Sequence, residues 1–332
     1  MTAQIGTAGG AAGSVAAGRL VHLPLPLFAA PMGLGGLGLA WREAGRVLGA
    51  PSIIGDALMA TALIVWLLIM ALHLTRALRH PEALRADLAH PIRSAFTGAI
   101  TIGLLIISGG FIPYAPSLAI VLWLIAVIFH VTIGLWTVRG LLTAPRESTT
   151  LVPPLLIPLV GNIVAPIFGV KLGFPELSWM LFGLGVLLWA MIQPLILGRI
   201  ISGPTMPARL RPTLAILLAP PAVGTVALSG LTGGFGPGPL AVFGLAVFVA
   251  LVLVTLTGRF SAVPFGVSWW AWTFPTAAFS VAFSGFAHAY PALPITLAAW
   301  AVLAIASTIG LIVSLATLRA AAAGHLLLPE AP

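Results

Sequence analysis

Residues 117–139 read SLAIVLWLIAVIFHVTIGLWTVR: no fixed charge occurs before Arg139, and one ionisable side chain, His130, interrupts the apolar run. A helix needs about 20 apolar residues to cross the hydrocarbon core of a bilayer. A strand of a membrane barrel would instead be about 10 residues of alternating polarity. The stretch is therefore read as a transmembrane helix, and the rest of the chain repeats the pattern. Ten such spans are expected, at about 20–41, 53–75, 92–112, 117–139, 152–170, 177–200, 211–232, 238–258, 267–288 and 294–319. The connections are short and leave no room for a separate soluble domain. The expected organisation is a flexible cytoplasmic tail over 1–19, a single ten-helix membrane domain over 20–320 and a short cytoplasmic tail over 321–332. Residues 1–19 lack the basic start and long apolar run of a secretory signal.

Composition leads to the same fold class, an all-α integral membrane protein. Of 332 residues, 60% are hydrophobic and only 7% charged, where soluble domains carry about 25% charged residues. Mean hydropathy is +1.13. So few charges cannot dress a soluble surface, which excludes a soluble enzyme, a nucleic-acid-binding module and a disordered chain. Cysteine is absent, which excludes disulfides, thiolate metal sites and a Cys nucleophile.

The net charge of +8 is a topology signal. With both termini cytoplasmic, the inner regions hold Arg19, Arg76, Arg79, Arg85, Arg93, Arg139, Arg146, Arg199, Arg209, Arg211, Arg259 and Arg319. The outer loops hold Arg42, Arg46 and Lys171. Twelve cations against three obey the positive-inside rule, and removing one span would scramble the alternation. A multi-pass inner-membrane protein follows.

Proline divides the spans into two kinds. In the even spans it marks the start, as at Pro51, Pro116, Pro237 and Pro294, with Pro194 as the exception. In odd spans it lies inside, at Pro31, Pro158, Pro166, Pro220, Pro221 and Pro275. An interior proline deletes a helix hydrogen bond and bends the axis, and the freed backbone groups must then be met by protein or by a water-filled cavity. Bent odd spans are expected as an inner layer and even spans as an outer one. Pro31, Pro158, Pro220 and Pro275 recur at about 60 residues or twice that, the period of a two-helix hairpin. The third span has no interior proline but carries Gly98, Gly103, Gly109 and Gly110. Its glycines, and Gly33 in the first span, fit either close helix packing or a narrow lumen.

Ionisable residues within the spans are few. His73, His130 and His288 fall at different depths, which disfavours a paired-histidine haem or a metal cluster. No span carries a chain of carboxylates for proton coupling. Asp56 sits near the interface, where a helix-start role suits it. Neither a catalytic constellation nor a nucleotide-binding motif occurs, so no enzyme activity and no cofactor are expected. A charge-free lumen with a basic inner surface favours downhill passage of small anions.

Phe274 stands out in Ser268-Trp269-Trp270-Ala271-Trp272-Thr273-Phe274-Pro275. Its helical neighbours Ala271, Ala277 and Ala278 are small, so one bulky ring projects from a shallow wall. Such a ring either packs ordinarily or closes a narrow lumen by occlusion and dewetting.

Four blocks, in order along residues 20–320, resemble one family. They are Pro31-Met32-Gly33-Leu34 with Leu39-Ala40-Trp41-Arg42, His90-Pro91-Ile92-Arg93, Arg211-Pro212-Thr213-Leu214 with Leu218-Ala219-Pro220-Pro221, and Trp269-Trp270-Ala271-Trp272-Thr273-Phe274-Pro275. The family contains the bacterial tellurite-resistance protein TehA and the slow anion channels of plant guard cells, and is also labelled tellurite-resistance/dicarboxylate transporters. The resemblance implies five helical hairpins in quasi-fivefold order around a central pore, and a homotrimer with one pore per subunit. It also implies passive transport of chloride and nitrate and a gating phenylalanine at Phe274. The residues expected to line or kink the pore are Pro31, Gly33, Gly98, Pro158, Pro220, Pro221, Ala271, Pro275 and Ala278. A secondary transporter of tellurite or four-carbon dicarboxylates is the alternative. Trp272 and Thr276 depart from the tyrosine and methionine of the plant-like motif, and the long phosphorylated tails of the plant channels have no counterpart in the sequence.

Overall fold

Proline sets the start of every long outer helix. Its missing N–H is harmless in the first turn and its fixed φ suits the helix. Helix α1 spans Ala29–Leu48, α2 Ser52–Arg79, α3 Pro81–Ala89, α4 Thr97–Phe111 and α5 Pro116–Thr143. Short α6 (Leu156–Val160) and α7 (Ala165–Gly169) are followed by α8 (Pro175–Ser202), α9 (Ala219–Thr232) and α10 (Pro237–Thr255). Then come α11 (Thr257–Ser261), α12 (Thr273–Ala289) and α13 (Leu293–Ala322). Pro51 caps α2, and Pro116, Pro175, Pro237 and Pro294 lie in the first turns of α5, α8, α10 and α13. The computed structural model describes residues 20–144 and 146–328, so the expected tail over 1–19 and the end of the tail over 321–332 lie outside the described residues.

Seven described stretches are long and apolar enough to cross a membrane: α2, Arg93–Phe111, α5, α8, Ala208–Thr232, α10 and α13. Of the spans read at 20–41, 152–170 and 267–288, the first and last fold as 3-10-led helices over 25–48 and 267–289, and the middle one is broken. Four prolines, Pro153, Pro154, Pro158 and Pro166, split the middle one into α6, a 3-10 turn at Gly161–Val164 and α7. In the first span the helix runs past residue 41, so Arg42 and Arg46 stand on α1 and not in a loop. Arg42 Nε donates to Asp56 Oδ1 at 2.7 Å and its Nη1 to the Gly110 carbonyl at 3.1 Å, which holds the last turns of α1 against α2 and α4.

Burial separates two layers. In Arg93–Phe111, 78% of the apolar window is buried, against 22% in α2, α8, α10 and α13. The outer helices expose Ile64, Leu67, Leu68, Ile128, Phe129, Leu187, Met191, Phe248, Leu251, Leu311 and Ile312. So continuous an apolar surface belongs in lipid.

The inner segments share a local feature. Each begins with a 3-10 turn, at Leu25–Phe28, Arg93–Phe96, Pro153–Leu155, Ala208–Leu218 and Val267–Trp272, and then relaxes into α-helix. They touch in cyclic order: α1 packs on α4, α4 on α6 and α7, α7 and the Gly161–Val164 turn on α9, α9 on α12, and α12 back on α1. Each also packs on the long helix that follows it. Indoles of the outer helices bond to backbone carbonyls of the inner ones, Trp66 Nε1 to Ile100 at 3.0 Å and Trp123 Nε1 to Ala165 at 3.0 Å. Such bonds meet carbonyls that lipid cannot satisfy.

Candidate permeation path

Among the described residues, three cavities along the inner segments bear on passage. The central one, about 50 Å3, is lined from every inner segment, by Met32, by Phe96 and Ile102, by Val160, Gly161 and Val164, by Ile216, Pro220 and Val223, and by Ala271, Phe274 and Pro275. No polar or charged side chain lines it. A vestibule of about 720 Å3 opens at the C-terminal ends of α1, α9 and α12. A mouth of about 790 Å3 opens at the opposite end, among the 3-10 entrances.

The walls between these spaces are few side chains. Phe274, Val164 and Val223 border both the central cavity and the vestibule. Phe96 borders both the central cavity and the opposite mouth. The three spaces are therefore in series, with an apolar neck at each junction.

Phe274 is held by the turn that precedes it. The 3-10 segment Val267–Trp272 becomes α12 at Thr273, whose Oγ1 donates to the Trp270 carbonyl at 2.8 Å. Thr276 Oγ1 donates to the Trp272 carbonyl at 2.7 Å, and Trp270 Nε1 to Thr317 Oγ1 at 2.9 Å, which ties the turn to α13. Pro275 offers no N–H to the Ala271 carbonyl one turn back, and Ala271 borders the central cavity. Phe274 itself is 7% exposed. Its ring lies against α1 where glycine leaves room: a Cβ on Gly36 would stand 2.9 Å from Phe274 Cδ2.

The expected residues divide between the path and the packing around it. Pro220, Ala271, Phe274 and Pro275 border the central cavity, and Ala278 borders the vestibule with Phe274. Gly33 lies against Thr273 and Trp270, so with Gly36 it forms the seat of α12 on α1. Gly98 faces backbone: a Cβ there would stand 2.8 Å from Pro158 Cα and 2.9 Å from Pro158 N. Pro31, Pro158 and Pro221 are buried within their helices. Sequence reasoning missed Gly36, Phe96, Val164 and Val223. Phe96 follows the His90-Pro91-Ile92-Arg93 block, but its neighbours Ser94, Ala95 and Thr97 give no sign of the direction it faces. The two valines carry no signal, being apolar residues among many.

Charge collects at the two mouths. Arg42, Arg46 and Lys171 line the vestibule beside Glu43 and His288. His22, His90, Arg93, Arg209, Arg319 and His325 line the other mouth, where no carboxylate does among the described residues. A cation-rich entrance raises the local concentration of anions. His130 is buried away from both mouths, its Nδ1 2.7 Å from Thr101 Oγ1, while His73 packs on Phe28 with ring centroids 5.0 Å apart. Among the described residues no cluster of three or more metal-ligating side chains occurs.

Residues 22–318 match the family model described as a voltage-dependent anion channel, SLAC1. The chain is 26% identical over 274 residues to the S-type anion channel SLAH3 of Arabidopsis thaliana, covering 79% of this chain and 43% of the relative. It is 23% identical over 289 residues to the guard cell S-type anion channel SLAC1 of Arabidopsis thaliana, covering 83% and 51%. It is 27% identical over 200 residues to a tellurite resistance protein TehA homolog of Haemophilus influenzae, covering 60% and 61%. The chain thus spans about half the length of the plant relatives it matches.

Proposed function

The chain belongs to the SLAC1 family of voltage-dependent anion channels, and from that premise we propose that it is a passive, uncoupled channel for small monovalent anions such as chloride and nitrate, closed at rest by Phe274. The carrying observation is the position of that ring. It borders both a small apolar cavity and a wide basic vestibule, in a path whose centre has no charged side chain. A dry apolar neck stops a hydrated ion without binding it, and weak binding allows fast exit once the neck widens. The basic mouths select the sign of the ion.

The proposed architecture is ten membrane-crossing segments in five hairpins of quasi-fivefold order, the broken and 3-10-led segments inside and the proline-started helices outside. The closed cycle of inner contacts supports it. The arginine-rich end, with Arg93, Arg209 and Arg319, is assigned to the cytoplasm of the cell membrane, with both termini on that side. Three copies, each with its own path, form the proposed assembly. The family is one of anion channels and transporters and is not an enzyme family.

Purified protein in planar bilayers with unequal chloride or nitrate tests the proposal. The reversal potential follows the anion gradient and is indifferent to imposed pH or sodium gradients. Flux that requires either gradient selects instead a secondary transporter of tellurite or four-carbon dicarboxylates; of these, the name of the Haemophilus relative mentions tellurite resistance alone.

A further inference from the structure

The inward-facing stripe of α8 ends on a charge. Ile192, Ile196 and Arg199 follow one another at helical spacing, all buried, and Arg199 is 7% exposed. Its Nε and Nη1 are fully buried and have no hydrogen-bond partner among the described residues. Arginine does not lose its proton in proteins, and an uncompensated buried cation costs several kcal/mol.

The same fold contains the satisfied version. On α2, Ile69, His73 and Arg76 repeat the spacing of Ile192, Ile196 and Arg199, and Arg76 is 4% exposed. Arg76 Nη1 donates to Asp87 Oδ2 at 2.6 Å and Nε to the Val21 carbonyl at 3.0 Å. The connection after α2 supplies Asp87 on α3. The connection after α8 reads Gly203-Pro204-Thr205-Met206-Pro207 and contains no acid. The three described carboxylates at this end are engaged or exposed elsewhere: Asp87 holds Arg76 and Arg93, Glu82 lies 3.6 Å from His80, and Glu147 accepts from Thr149.

We propose that Arg199 is a binding site for a phosphate-type oxyanion at the basic end of the bundle, separate from the permeation path. A planar guanidinium matches the several acceptor oxygens of such a group better than it matches a halide. The last turn of a membrane-spanning helix lies at headgroup depth, so a phospholipid phosphate and soluble phosphate share the required chemistry.

Thermal unfolding of the full chain in delipidated detergent, with phosphatidylglycerol or with inorganic phosphate added, tests the site and separates the two sources. Without either probe, Arg199→Met melts higher than wild type, because a buried charge is replaced by an apolar chain of similar length. Phosphatidylglycerol raises the wild-type Tm by about 2–4 °C and leaves Arg199→Met unmoved. A rise with phosphatidylglycerol alone assigns a lipid headgroup; an equal rise with inorganic phosphate assigns a soluble ion. Arg199→Lys keeps the charge without the planar fork and responds at least tenfold more weakly in probe concentration. Native mass spectrometry of wild type reads bound phospholipid directly, should Arg199→Met fail to fold. Wild type with no retained lipid and no Tm response to either probe overturns the proposal, as does an equal response in wild type and Arg199→Met.

Discussion

Phe274→Ala removes the largest of the three side chains between the central cavity of about 50 Å3 and the vestibule of about 720 Å3, leaving Val164 and Val223. A water needs about 10–15 Å3 of free volume and two to four polar partners. The apolar cavity therefore has room for a few waters but nothing to hold them, and an anion crossing it leaves its hydration behind. Moving an ion into such surroundings costs several kcal/mol. If the wider neck recovers only about 1.4–2.7 kcal/mol of that barrier, conduction rises about 10–100-fold. Phe→Ala in a core costs about 3–5 kcal/mol of stability; the low end applies here, because the ring borders free space on two sides. The assay is single-channel and macroscopic chloride current in bilayers, normalised to protein that elutes as one species. Phe274→Leu falls between wild type and Phe274→Ala. A companion change checks the geometry: Gly36→Ala places a Cβ 2.9 Å from Phe274 Cδ2, below the about 3.5–4.0 Å of ordinary carbon contact. It alters current in wild type and is silent in Phe274→Ala. Unchanged current in folded Phe274→Ala, or an equal Gly36→Ala effect in both backgrounds, refutes the reasoning.

Phe96→Ala opens the neck between the central cavity and the basic mouth; its effect on current multiplies that of Phe274→Ala in the double variant, and a double no more active than Phe274→Ala would show that Phe96 is no barrier. Gly98→Ala puts a Cβ 2.8 Å from Pro158 Cα. Because that neighbour is backbone, overpacking costs about 1–3 kcal/mol, read as a lowered Tm, whereas a wild-type Tm would place α4 further from α6 than described. Arg46→Glu with Lys171→Glu reverses two vestibule charges and lowers chloride conductance at 10 mM-scale salt, with the difference fading toward about 1 M as the Debye length shrinks to about 3 Å; a deficit that persists at high salt would locate those side chains in the neck itself.

Much of the fold was legible because its determinants are local. A charge-free run such as 117–139 has one stable state in lipid, and α5 occupies Pro116–Thr143. The prolines that start α2, α5, α8, α10 and α13 and those that break Pro153–Gly169 act within one turn of themselves. The helix of the first span was harder to bound. Arg42 reads as the start of a loop until Asp56 and the Gly110 carbonyl are brought beside it from other helices.

Phe274 was legible from its own segment, as a large ring among alanines. Phe96 was not weighed, although it lies as close to the path, because its neighbours Ser94, Ala95 and Thr97 say nothing of which way it faces. Gly33 and Gly36 read as one glycine-rich run, yet the crossing of α1 and α12 turns both toward Thr273 and Phe274, some 240 residues away in sequence. The sequence by itself determined the solvent, the helical class and the places where helices start and break, since hydropathy and backbone chemistry need no distant partner. Only the tertiary structure decided which rings stand between cavities and why Arg76 has a carboxylate while Arg199 has none, because those depend on how helices far apart in the chain cross.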